Sequence, residues 1–503
     1  MDVTNAYTGL NMSLATRLSA QRTQMSDLVE QETTGLKAKT YAGVDNRTLT
    51  LSFQSKLAEN EAYQNTIAGI DTRLGLVTNA YEALMTTSSS LSGSLDQNVF
   101  NLTSTGQTPQ QTAAVQSLDT YVSTLNMEYG GLYVFGGTAT DAPPVVSTDT
   151  IMNGDATHAG FETVAAQRLQ ADLGANAMGR LGTTLTGSTV SLAEDGAHVF
   201  GMKLTGVSST LANATVTDGT SSAGGAAPHS LAVAFTGQPA EGETLKLTLT
   251  QPDGTTSTIT LTAGTTNATD GTTFAIGATA ADTAANLKAA LETQLKETAA
   301  TETTAASTVA AANDFFDTTG GGSPMRVAGP PYDSATSLVA GTSANTVIWY
   351  TGTNDANAAR ADASARIDTD LTVQYGTRAN ESAIVTQIKQ MAVLATIDVS
   401  SGSDTAKKLY AAVIDRTKSI LSSTTGAHSL QAMETEIAGA QKAGQLASTR
   451  LKTASETYQT AVDKAINADT TEVAVQLAAM QTQIQASYKA TALLYKMSLT
   501  DYL

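Results

Sequence analysis

The sequence contains no cysteine, and this absence excludes disulfide bonds, thiol nucleophiles and thiolate metal sites. Aromatic residues make up only 5% of the 503 residues, and there is a single tryptophan. Charged residues are scarce as well, at 15%. A chain rich in Ala, Thr and Gly with so few large side chains resembles an elongated protein more than a compact enzyme with a large pocket.

Basic residues are also in deficit. The chain has 28 Lys and Arg against 46 Asp and Glu, a formal net charge of -18, and no cluster of basic residues interrupts this balance. A nucleic-acid binder needs a basic face toward the phosphates, and an acidic membrane surface would repel the chain. We therefore expect neither nucleic acid nor membrane among its partners.

Export signals of the common kind are missing too. The first residues, Met1 to Asn5, have no basic segment followed by a continuous apolar one, and no later apolar run reaches the length of a membrane span. We therefore expect a protein without a cleaved signal peptide.

No pattern typical of catalysis or of a cofactor site stands out. His158, His198, His229 and His428 are far apart in the sequence, without a partner at an evident metal-ligand spacing. The carboxylates of Asp368 and Asp370 are interpreted as solvated. We predict no catalytic, cofactor-binding or metal site, although a triad assembled in space is invisible to this reasoning.

What the sequence does contain is apolar residues at helical spacing at both ends. Intervals of three and four residues place such residues on one stripe of a helix, and each stripe then needs a partner. In the first helix Gln21 occupies one position of the stripe. The predicted interface between the two ends consists of Leu14, Leu18, Met25, Leu28, Val473, Leu477, Met480, Ile484 and Leu494.

The same spacing predicts further helices next to these ends. The longest pattern runs from Tyr63 to Leu95 and predicts one long helix. A second pattern runs from Val115 to Leu132, with the helix expected to end near Gly130 and Gly131. An Ala-rich pattern runs from Leu430 to Tyr458. Small residues let helix backbones approach closely, so the Ala-rich helix is expected to pack against the long one.

From Ala139 to Gln374 the composition changes to Thr, Gly, Ala and Asp, which indicates an insertion. Residues 245–249 and 258–261 alternate as a hairpin, and Asp282 to Leu295 predicts a capped helix. The Thr/Ala run at 299–312 is interpreted as a linker or loop. Residues 346–350 are predicted as a buried strand, with Trp349 in the core.

Three short segments carry a family resemblance: Gly35-Leu36-Lys37 after the first helix, Gly131 to Thr138, and the final Ser498-Leu499-Thr500-Asp501-Tyr502-Leu503. With the two paired ends, they resemble the bacterial flagellin superfamily. Within it the ending is similar to that of the hook-associated proteins at the hook–filament junction, whereas filament flagellins usually close differently. The paired acidic residues usual in the family are missing from residues 37–45.

The resemblance implies a mainly α protein with an inserted β-rich region. We expect a long coiled-coil-like helical bundle built from the N- and C-terminal parts, and a variable α+β outer domain. The predicted divisions are a terminal assembly region of residues 1–44 with 459–503, a helical core rod of 45–138 with 375–458, and an outer domain of 139–374. Tyr502 and Leu503 join the predicted interface through their place in the final motif.

The function implied is structural: an adaptor that joins hook to filament and assembles by coiled-coil pairing of its ends. The implied partners are the other hook-associated junction protein, flagellin, copies of the chain itself, and an export chaperone at the C-terminal helix. Such proteins lie outside the cell, on the flagellum, after type III export. A filament flagellin is the alternative, and a secreted adhesin or hydrolase acting through the insertion is more distant.

Overall fold

The computed structural model describes residues 3–44, 46–219, 228–422 and 429–500. About 53% of the chain is helix and 17% is strand, so the fold is mostly α with some β, as expected. His428, Tyr502 and Leu503 lie outside the described residues. Two compact units are present, which we call the terminal unit and the central unit. The terminal unit comprises Met1–Asp71, Ala365–Val373 and Lys442–Leu503, and the central unit comprises Thr72–Ser364 and Gln374–Gln441.

The helices and strands follow in chain order. The α-helices are α1 (Val3–Thr34), α2 (Arg47–Ser94), α3 (Pro109–Leu125), α4 (Thr148–Asn153), α5 (Phe161–Leu173), α6 (Ala280–Thr298), α7 (Thr304–Phe316), α8 (Ser382–Thr396), α9 (Asp404–Ser422), α10 (Leu430–Ile466) and α11 (Thr470–Thr500). The strands are β1 (Glu128–Tyr129), β2 (Leu132–Tyr133), β3 (Leu181–Thr186), β4 (Thr189–Glu194), β5 (Lys203–Ser209), β6 (Ala214–Gly219), β7 (Ser230–Phe235), β8 (Thr244–Thr250), β9 (Thr256–Gly264), β10 (Thr273–Ala275), β11 (Met325–Val327), β12 (Leu338–Ala340), β13 (Ser364–Asp368) and β14 (Leu371–Gln374).

The long helix predicted from Tyr63 to Leu95 is confirmed as α2, which has 48 residues and begins earlier, at Arg47. Most of its periodic apolar positions are buried, as the pattern requires; Leu74, Tyr81 and Leu84 are at most 1% exposed. In the terminal unit the Ala-rich α10 meets it, because Asn60 donates to the hydroxyl of Ser455 at 3.1 Å. The predicted contact between these two helices is therefore present there.

The second helical pattern ends sooner than predicted. Helix α3 begins with a capping box at Thr108 and with Pro109 in its first turn, and it stops at Leu125. Gly130 and Gly131 both have positive φ angles, 63° and 80°, so they form the turn between β1 and β2. The helix was predicted to end near Gly130 and Gly131; it ends earlier, and the two consecutive glycines in the left-handed region favour a hairpin.

Two four-stranded sheets dominate the insertion, in the orders β3-β4-β7-β6 and β10-β9-β8-β5. The predicted hairpin is confirmed as β8 and β9, where Leu247 lies opposite Ile259. The predicted capped helix is confirmed as α6, whose capping box joins Thr279 to Asp282. Leucines of α6 and the inward side chains of both sheets form one buried cluster, including Leu287 and Leu291.

Other predictions for the insertion are wrong. The Thr/Ala run at 299–312 is a π-helical turn, Ala299–Thr303, followed by α7, and many of its residues are buried. Alanine favours helix and its small side chain allows close packing, so this composition built a core helix instead of a linker. Residues 346–350 make isolated bridges instead of a strand. Trp349 is in the core, as predicted, with no exposed surface.

The two ends of the insertion lie next to each other. Gly136 and Arg378 form an antiparallel bridge, and the backbone N–H of Ala379 donates to the carbonyl of Phe135 at 2.9 Å. Arg378 also binds Asp362 at 2.5 Å and Asp355 at 2.7 Å. Its guanidinium is the main cause of the lowered pKa of Asp355. The Gly131–Thr138 segment thus serves as the point where the chain enters the insertion and returns.

Candidate assembly surface

The candidate surface is built on α1 and α11 in the terminal unit. Backbone hydrogen bonds join the chain where α1 ends and α11 begins: Lys37 N–H donates to the carbonyl of Ile466, and Ala468 N–H donates to that of Gly35, both at 2.8 Å. Farther along, Gln21 meets Ser487. Residue numbers in α11 increase along the pair while those in α1 decrease, so the two helices are antiparallel.

Local sequence signals position each helix end. Gly35 follows the last residue of α1 with a φ angle of 69°, a conformation typical of the residue after a helix. At the start of α11, the carboxylate of Asp469 accepts hydrogen bonds from the N–H groups of Thr471 at 3.0 Å and Glu472 at 3.2 Å. This is an N-cap. The Asp-x-x-Glu pattern of a capping box is present in the sequence but was not among the predicted helix signals.

The inner part of the helix pair encloses a small apolar core. Leu28, Val473, Met480 and Ile484 are buried, between 5% and 9% exposed. Residues Met25, Leu477 and Ala468 pack against this cluster. The structure therefore brings together most of the predicted interface on one seam.

The outer part of the pair is more polar. Gln21 approaches the hydroxyl of Ser487 at 3.4 Å across the seam. Beside this contact, the Arg22 guanidinium lies 5.7 Å from the ring centre of Tyr488, and its Nε donates to the Tyr488 hydroxyl at 3.1 Å. A hydrogen bond from a charged guanidinium is stronger than one between neutral groups. These polar contacts were not predicted, although Gln21 within an apolar stripe was the signal for them.

The remaining predicted interface residues are less enclosed or lie beyond the described side chains. Leu14 and Leu18 are half-buried, on the outer side of the Gln21 contact. Leu494 belongs to α11, but its side chain lies outside the described part of the chain, as do Tyr502 and Leu503 entirely. The structure does not place these three side chains with the others.

Apolar side chains also point away from the seam. In the terminal unit Met12 is 75% exposed, Val475 66%, and Leu446 and Leu493 62% each. Val475 stands on α11 between the buried Val473 and the half-buried Leu477, so its direction is set by the helix and is opposite to the seam. Single exposed apolar side chains are ordinary on protein surfaces. In the terminal helices, however, they occur beside an apolar core of only a few residues. They present outward surface that another helix could cover.

Exposed charges contribute little to this surface. The Lys39 ammonium binds the Glu30 carboxylate at 2.7 Å, and this hydrogen bond is the first cause of the raised pKa of Lys39. Ion pairs exposed to water stabilise weakly because solvent screens them.

Outside this unit, the histidines are not as isolated as the sequence indicated. His158 pairs with Asp155 at 2.7 Å, His198 with Asp195 at 2.7 Å, and His229 with Asp218 at 2.5 Å. Burial is the first cause of the lowered pKa of His198. Within the described ranges, these pairs do not extend to a group of three metal-ligating side chains.

The predicted solvation of Asp368 is also wrong, since its side chain is 15% exposed and binds Arg450. Among the helices described, none combines the length and the apolar character needed to cross a membrane. Comparison with known protein families gave no match, and comparison with curated proteins found none similar to this chain. The function is therefore argued from the residues themselves.

Proposed function

We propose that this chain is a structural component of the bacterial flagellum, an adaptor that joins hook to filament by coiled-coil pairing of its ends. The observation that carries the proposal is the antiparallel pairing of α1 with α11, which encloses Leu28, Met480 and Ile484 and leaves other apolar side chains outside. A pair with so small a core is marginal by itself, and neighbouring copies that cover Val475 and Leu493 would complete it.

The junction role rests on the ends of the sequence. The final Ser498 to Leu503 resembles the ending of hook-associated junction proteins, and the insertion between residues 139 and 374 is the outer domain in this reading. The partners are copies of the chain, flagellin and the other hook-associated junction protein. An export chaperone would hold the C-terminal helix before type III export, and the assembled protein would lie outside the cell.

Three substitutions on α11 separate assembly from folding of the helix pair. Val475→Asp places a charge on an outward position, Ile484→Asp places one in the seam, and Gln483→Asp is the control at an exposed polar position. Burying an unpaired carboxylate costs several kcal/mol. We expect Val475→Asp to stop filament growth in a strain lacking the native protein, while the purified variant keeps the wild-type unfolding midpoint.

Ile484→Asp should lower both filament growth and the protection of α11 from hydrogen exchange, since it disrupts the seam within one chain. Gln483→Asp should leave both unchanged. Full filament growth with Val475→Asp would show that the outward face takes no part in assembly. The proposal would then lose its main structural support.

A further inference from the structure

The central unit contains a cleft that the proposed function does not use. A cavity of about 580 Å³ lies among α5, α7 and residues 395–400, and one of about 380 Å³ lies beside it, toward α3 and α4. Gln107, Glu162 and Ala395 line both cavities, so the two are adjacent, and we call them together the cleft. Volumes of this size are typical of small-molecule sites.

Much of the wall is apolar. Ala165, Leu169, Ile397, Val399 and Leu409 line the larger cavity. An apolar wall with a few polar groups is the usual composition of a ligand site, because the wall supplies contact and the polar groups fix the orientation. The wall lacks aromatic side chains among the described residues, so it offers no stacking surface for a planar ring or for a sugar.

Every ionisable side chain that lines the cleft in the described structure is acidic. Glu162 lies where the cavities meet, Asp398 lines the larger one, and Asp119 and Asp149 line the smaller one. The described structure gives Glu162 no hydrogen bond or ion pair, and partial burial raises its pKa. All four carboxylates are exposed, and Asp398, Asp119 and Asp149 already accept hydrogen bonds from Ser400, Thr148 and Asn153. No basic side chain lies among the described lining residues.

Most hydroxyl groups of the wall are already committed as donors. Thr304 Oγ1 donates to the carbonyl of Ala299 at 2.8 Å, and Thr308 Oγ1 donates to that of Thr304 at 2.9 Å. Gln111 donates its amide to the carbonyl of Ile397 at 2.7 Å. What these groups retain are acceptor lone pairs. Among the described lining residues Gln107 keeps an amide without a hydrogen bond, so the cleft offers more acceptors than donors and favours a ligand rich in donors.

A local departure from regular helix marks the same place. The π-helical turn Ala299–Thr303 directly precedes Thr304 and lies between α6 and α7. Such turns are rare and occur frequently at functional sites, where they change the direction of a side chain. Here the turn sets the direction of the helix that carries Thr304 and Thr308 into the cleft.

We propose that this cleft binds a linear aliphatic polyamine. One ammonium group would pair with Glu162, others would lie toward Asp398 and toward Asp119 and Asp149, and the methylene segments would contact the apolar wall. A polyamine brings donors only, alternates charge with apolar length, and needs no aromatic platform. A divalent cation would leave the apolar wall unused.

Calorimetric titration of the full-length protein with spermidine tests the proposal. The carboxylates of the cleft are themselves exposed, so the titration starts at low ionic strength, where their contacts are least screened, and we expect one site per chain. Glu162→Gln should weaken binding about tenfold or more, since it removes a charged hydrogen bond. Glu241→Gln is the matched control, because it removes the same charge from an exposed position of the same unit, and its affinity should stay at the wild-type value.

A second variant tests the cleft by volume instead of charge. Ala166 lines the larger cavity and is exposed to it, so Ala166→Trp should fill the space and abolish binding. Equal affinity in Glu162→Gln and Glu241→Gln would overturn the proposal. So would several weak sites per chain that vanish together as salt is raised, because that result identifies attraction to the net negative charge alone. Neither outcome bears on the flagellar role.

Discussion

Gly35 ends the first terminal helix in a conformation that other residues adopt only at a cost. Its φ angle is 69°, and a Cβ atom added there would meet no other atom within 4 Å. A substitution would therefore be strained by the backbone alone, without a steric clash. Gly69 offers the opposite case, since it lies inside α2 with equally open surroundings.

Replacing these two glycines with alanine should shift stability in opposite directions. Gly35→Ala should lower the free energy of unfolding by about 1 kcal/mol, because Ala resists the left-handed region. Gly69→Ala should raise it by roughly 0.5–1 kcal/mol, because Ala favours a helix interior. Urea denaturation of both variants measures the difference. An equal effect of both changes would contradict the positive φ angle at Gly35.

At the scale of elements, the contact of Gln21 with Ser487 divides the pair of α1 and α11 into two parts. The buried cluster of Leu28, Met480 and Ile484 lies on the inner side, and the half-buried Leu14 and Leu18 lie on the outer side. A polar residue in an apolar seam lowers stability while restricting which arrangements of the helices are favourable. The outer turns are thus held more weakly than the inner ones.

Gln21→Leu should strengthen this pair. The change extends the apolar stripe across the polar contact, with an expected gain of about 0.5–1 kcal/mol from additional apolar burial. Hydrogen exchange at the backbone of α11 should slow near Ser487. The control Gln24→Leu lies on the exposed side of α1 and should leave the exchange unchanged. Faster exchange in Gln21→Leu would show that the polar contact stabilises the pair.

The elements that could be predicted from sequence are those with a long, regular pattern. The repeated apolar residues of α2 and the alternation of β8 and β9 each indicate one structure only. Helix α7 was missed because alanine gives no contrast between an inner and an outer face. The ends of α3 and the bridges at 346–350 depend on glycine turns and on distant partners, which no local pattern records.

The two candidate sites also differed in how well the sequence predicted them. The seam of Leu28, Val473 and Ile484 was visible from spacing alone, since each helix had to bury its stripe. The Arg22 contact with Tyr488 was not, because Arg22 lies outside the apolar stripe and the spacing of apolar residues gives no signal for a polar contact. The cleft at Glu162 escaped prediction because its lining comes from several separate segments.

At the scale of the whole molecule, the chain joins its two ends in a helix pair and places its sheets in the segment between them. We interpret the pair as the assembling part and the inserted segment as the part that varies. This division explains why the longest helices are near the ends of the chain, while the insertion has a sheet core of its own. A hook–filament adaptor and a filament flagellin would have the same division, so the copy number and the location of the protein distinguish the two.

The most direct measurement is the position of the protein on intact flagella, determined by electron microscopy with gold-labelled antibody against the insertion. The proposed role predicts label at a single site, where the filament meets the hook, and unlabelled filament beyond it. A strain lacking the protein should keep its hooks and release flagellin into the medium. Label along the whole filament would contradict the junction role and assign the chain to the filament itself.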